Sequence, residues 1–68
     1  MMLDARGYSC PEPVIMLKKA MESPETEYEM MVDNRASLEN VTRFAKHNGY
    51  EVEAKQKGDD YALRIFRK

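Results

Sequence analysis

The chain has too little cysteine to be stapled and too short an apolar run to span a membrane. Its one cysteine, Cys10, has no internal partner for a disulfide, so stability has to come from packing, and a reducing compartment suits it. With only one histidine, His47, beside that single cysteine, no metal-ligand set of the usual spacing exists, and neither a metal nor another cofactor is expected. No stretch approaches the roughly 18 consecutive apolar residues of a membrane helix. The start, Met1-Met2-Leu3-Asp4, lacks the basic and apolar regions of a signal peptide. A cytoplasmic location without a membrane partner is the resulting expectation. An excess of one charge is missing too. Eleven basic residues stand against 12 acidic ones, for a formal net charge of -1, and direct binding of nucleic acid is not expected from so balanced a chain. Linkers, internal repeats and low-complexity segments are also absent.

What is present suits one small folded domain over residues 1–68. A chain of 68 residues has room for a single core, with 43% hydrophobic residues to build it and 34% charged residues to solvate the outside. The hydrophobic period switches between 2 and 3.6 along the chain. Met2 to Ala5 reads as a first strand. Pro11 and Pro13 both suit the first turn of a helix, where the N–H they lack would have no helical partner, so helix one is predicted to start at Pro11 and to end before Ser23-Pro24. Its wheel gathers Val14, Leu17, Ala20 and Met21 on one side and Glu12, Ile15, Met16 and Lys19 on the other.

Strand two alternates Tyr28, Met30 and Val32 against Glu27, Glu29 and Met31. Asp33-Asn34 offers an N-cap for helix two, whose apolar stripe is Leu38, Val41, Phe44 and Ala45 and whose stop is Asn48-Gly49. Two further alternating segments, around Tyr50 to Lys55 and Tyr61 to Phe66, are joined by Gly58-Asp59-Asp60 as a hairpin. The expected fold is α+β, a two-layer sandwich in the order β-α-β-α-β-β. Two helices should cover one face of a four-stranded mixed sheet and leave the other face to water.

The chemistry concentrates between Leu3 and Pro13. Cys10 directly precedes the proline-led helix and is expected at its N-cap, aimed by a stiff backbone. A helix N-terminus and nearby cations lower a thiol pKa, but the dipole alone is worth about 0.3–1 kcal/mol, less than one pKa unit. Arg6 is the candidate helper, with a solvated arginine as the alternative. Glu12 opposes the shift, and the two prolines leave Glu12 as the main N–H donor, which argues for aiming a thiol over cradling a phosphate. A small buried hydrophobe is the other reading of a lone cysteine, and the double-proline helix start favours a presented nucleophile. Asp4 and Gly7 read as a strand-end hydrogen-bonding group and a turn residue at positive φ, and Asp33 as a capping group. His47 falls on the polar side of helix two, away from Leu38, Val41 and Phe44, and a Cys-His pair is not expected. Ile15 and Met16, with Glu12 and Lys19, form a candidate docking surface one turn from Cys10.

These residues resemble the TusA/SirA/YedF family of sulfur carriers, whose hallmark is Asp-x-x-Gly-x-x-Cys-Pro-x-Pro near the N-terminus. Asp4, Gly7, Cys10, Pro11 and Pro13 match it in order. Val32 to Ala36 and Glu39 to Ala45 resemble the segment entering helix two, particularly in YedF-type members. The resemblance implies a sulfurtransferase or sulfur carrier that accepts sulfur as a persulfide on Cys10 from a donor such as a cysteine desulfurase and passes it to an acceptor protein in a sulfur relay. It implies a pathway ending in tRNA thiolation or in selenium metabolism. A non-catalytic interaction or regulatory module on the same fold is the competing class.

Overall fold

The computed structural model describes residues 2–8 and 11–67. Six elements follow in the expected order: β1 (Met2–Asp4), α1 (Glu12–Ala20), β2 (Glu27–Val32), α2 (Arg35–His47), β3 (Tyr50–Lys57) and β4 (Asp60–Arg67). The four strands form one mixed sheet in the order β1-β2-β4-β3, with β1 parallel to β2 and the other two pairings antiparallel.

The register explains the single core. Tyr28 lies opposite Ile65, Met30 opposite Leu63 and Val32 opposite Tyr61, so the apolar sets of β2 and β4 share one face. Leu3 joins that face beside Met30, and Val52 joins it beside Ile65. Against it pack Leu17 and Ala20 from α1 and Val41 and Ala45 from α2. Tyr28 is fully buried, its hydroxyl donating to the Glu25 carbonyl at 2.8 Å and its ring 6.1 Å from that of Tyr50. Each large apolar side chain buried in this way contributes about 1.5–3 kcal/mol, and the alternation on β2 and in the second half of β4 is what gathers them on one face.

Local signals account for most boundaries. The Asn34 side chain caps α2 by accepting from the Ser37 N–H at 2.7 Å. Asn48 closes the helix, its side-chain amide donating to the Phe44 carbonyl at 2.8 Å. In the β3–β4 turn Gly58 takes φ +64°, as a two-residue hairpin with glycine first requires.

Three expectations are corrected. Strand β1 ends at Asp4, one residue short, although the Ala5 N–H continues the pairing to the Met31 carbonyl at 2.8 Å. Helix α1 begins at Glu12, with Pro11 as its N-cap. The Pro11 carbonyl accepts the first helical bond from the Ile15 N–H at 3.1 Å, while its own φ of -97° and ψ of 9° stay outside the helical well. The cap expected at Cys10 therefore falls one residue later, and Cys10 itself, with Ser9, lies outside the described residues. Met16, expected to face outward, is half-buried and packs against the core, because α1 packs against α2 while its Leu17 and Ala20 enter the core, which leaves less of the helix to solvent than one apolar stripe implies.

Candidate functional site

The loop leaving β1 is tied down at every described residue. Asp4 and Arg6 form a two-pronged ion pair: Arg6 Nε donates to Asp4 Oδ1 at 2.9 Å and Nη2 to Oδ2 at 2.8 Å, and the Arg6 backbone N–H adds a bond to Oδ1 at 3.1 Å. On its far side Arg6 Nη1 approaches Asp60 Oδ2 at the start of β4, 3.5 Å away. The Arg6 hydrogen bonds hold the Asp4 carboxyl down at about 2, and Asp4 in turn pushes the guanidinium pKa further up. Arg6 thus carries two carboxylate partners, which reduces the net positive charge it was expected to lend a thiolate.

Gly7 turns the chain at φ +86°, the left-handed region glycine enters without strain. Its N–H donates to Asp33 Oδ2 at 2.8 Å, a bond between residues 26 apart in sequence. Asp33 is thereby a latch between the β1–α1 loop and the β2–α2 junction, and the capping role expected of it belongs to Asn34, whose amide also donates to Asp33 Oδ1 at 3.1 Å. The Gly7 hydrogen bond is the main reason the Asp33 carboxyl sits below its ordinary value. Tyr8 follows, half exposed, its N–H donating to the Ala5 carbonyl at 3.3 Å.

Beyond Cys10 the two motif prolines part ways. Pro11 is exposed, whereas Pro13 is fully buried in the core. Glu12 and Lys19 are exposed, and Ile15 keeps 39% of its surface in solvent. Beside Pro11 an open groove of about 450 Å³ runs between the helices, lined by Pro11, Val14, Asn40, Arg43, Phe44 and His47. His47 is exposed as expected, but it lines this groove together with Phe44, from which the wheel places it apart, and with Pro11 and Val14 of the α1 start. The wheel of α2 alone carried no signal for that meeting. A second depression, of about 390 Å³, lies on the opposite side of the molecule, on the open sheet face around Met2, Met31, Ala62 and Arg64. No helix among the described residues is long and apolar enough to cross a membrane.

Comparisons with known proteins agree in one direction. The family described as sulfurtransferase TusA matches residues 1–67. A candidate sulfur carrier protein of Methanocaldococcus jannaschii is 46% identical over 52 residues, covering 74% of this chain and 69% of that protein. One from Archaeoglobus fulgidus is 34% identical over 68 residues, covering 97% and 88%. The crystal structure of a SirA-like protein from Desulfitobacterium hafniense superposes with a TM-score of 0.86 at 35% identity, covering 97% of this chain and 96% of that one.

Proposed function

The chain belongs to the TusA family of sulfurtransferases, and from that premise we propose that it carries sulfur as a persulfide on Cys10 between a donor and an acceptor protein. Family membership supports the general sulfur-carrier role. The finer reading is supported by the family match over residues 1–67, which takes in the chain's single cysteine and the Pro11-Glu12-Pro13 helix start that follows it.

In the proposed step the Cys10 thiolate attacks the outer sulfur of a persulfide on the donor. A new S–S bond forms at Cys10 as the donor's S–S bond breaks, and the donor leaves as a thiolate. One sulfur atom moves and no external oxidant or reductant is consumed. The acceptor reverses these roles, its thiolate taking the outer sulfur and releasing Cys10. An ordinary thiol of pKa about 8.5 is a few per cent thiolate at neutral pH, which suffices for a relay whose sulfur must leave as readily as it arrives. Arg6, already paired with Asp4 and Asp60, acts here chiefly as a brace for the loop. The donor in this reading is a cysteine desulfurase, and the acceptor is a further sulfur-relay protein.

Incubation with a cysteine desulfurase and cysteine, followed by intact-mass spectrometry, tests the proposal. The native chain should gain the mass of one sulfur atom and Cys10→Ser should gain none. Equal gain in both proteins, or in neither, refutes it.

A further inference from the structure

We propose that the groove between α1 and α2 is where the sulfur donor docks, and that it receives an apolar side chain flanked by carboxylates on that donor. The inference rests on the carrier reading and adds to it the surface and the chemistry of the partner. The groove's floor is apolar, from Pro11, Val14 and Phe44, and its polar lining is Asn40, Arg43 and His47, with no acidic residue among the described lining. It begins at Pro11, the residue bonded to Cys10, so a side chain seated in it engages the chain one residue from the cysteine.

The charge layout selects the partner. Arg43 lines the groove and the exposed Lys18 and Lys46 lie on the same two helices, against one exposed acid, Glu12, at the start of α1, while Arg35 is already paired with Glu39 at 3.3 Å. The open sheet face on the other side is mixed in sign, with Glu27, Glu29, Glu51 and Glu53 set against Lys55, Lys57 and Arg64, the last held between Glu27 and Glu53. A donor with an acidic rim is therefore favoured at the groove, whose lining holds Arg43 and His47 and no carboxylate, over the sheet face, whose charges are of both signs. The apolar floor favours a protein over a nucleic acid, whose phosphates have no use for an apolar seat.

The test is the double variant Arg43→Glu/His47→Glu, both exposed positions on α2, compared with Lys19→Glu on the outer side of α1. Sulfur loading of Cys10 by a cysteine desulfurase should fall about tenfold in the double variant at low salt, and native loading should slow as salt screens the pair. Lys19→Glu should load within about twofold of native, as expected of a charge outside the docking groove. Alkylation of Cys10 by iodoacetamide, which needs no docking, should match native in both variants. Native-like loading of the double variant overturns the inference while leaving the carrier reading intact. A loss confined to Lys19→Glu overturns it too, by assigning docking to the Ile15 side of α1. Binding of tRNA that the double variant loses, with desulfurase loading unchanged, reassigns the groove to RNA and overturns it. Failure of the native chain to load overturns the carrier reading and this inference together.

Discussion

Replacing Pro11 and Pro13 by alanine, one at a time, should separate two jobs that the motif runs together. Pro13 is fully buried at the second position of α1, and alanine there removes two ring methylenes from the core. At about 0.8 kcal/mol per buried methylene, that loss is near 1.6 kcal/mol. The unfolded chain also gains freedom when a compatible proline is removed, worth about 0.4–1 kcal/mol more. The N–H that alanine restores would have no helical partner at this position and returns little. Pro13→Ala should therefore cost about 2–2.5 kcal/mol, a large share of the roughly 3–10 kcal/mol typical of a domain this size. A fall in melting temperature of roughly 10 °C or more corresponds to it. Pro11 is exposed, so Pro11→Ala should cost less than about 1 kcal/mol, mainly through the unfolded chain. Its effect should appear instead in the iodoacetamide alkylation rate of Cys10, because alanine frees the backbone dihedral next to the cysteine and adds an N–H beside it. Urea unfolding followed by circular dichroism supplies the stabilities. Equal destabilisation by the two variants, or a Pro13→Ala cost below about 0.5 kcal/mol, would refute the division.

Two further outcomes test the loop. Asp33→Ala removes the acceptor for the Gly7 N–H and should abolish the hydrogen-exchange protection of that amide and alter Cys10 alkylation, whereas Asp33→Asn, which keeps a carbonyl oxygen, should restore much of both; equal behaviour of the two variants would deny the latch. Asp4 should titrate near 2 by carboxyl NMR: because its folded pKa lies below the ordinary 3.8, the stability it lends is present above about pH 4 and is lost as pH falls through 2. A midpoint at the ordinary value, or an Arg6→Gln variant that leaves the midpoint unmoved, would contradict the ion pair.

The fold was legible because its signals are local. Tyr28, Met30 and Val32 alternate with Glu27, Glu29 and Met31, and that period alone decides which side of β2 is buried. Asn34, Asn48 and Gly58 act within four residues of themselves, so caps and turn could be read from composition. The misreadings share the opposite property. Asp33 and Asn34 are equally good caps by residue type, and what separates them is Gly7, brought beside Asp33 from 26 positions away. A wheel reports the angle of His47 about its own helix but not that α1 begins across from it. Arg6 looked free to serve a thiolate, yet one of its two carboxylates, Asp60, comes from the far end of the chain.

The described parts of the candidate site are thus assembled from the β1–α1 loop, the β2–α2 junction, the end of α2 and the first residue of β4. The motif around Cys10 carries the proposed chemistry. Residues outside that motif, Asp33 and Asp60 for the loop and Arg43 and His47 for the groove, set how the loop is held and what can approach it. Two chains that share the motif and the Asp33 latch but differ at Arg43 and His47 should therefore react alike with a small alkylating reagent and differ in which protein loads them.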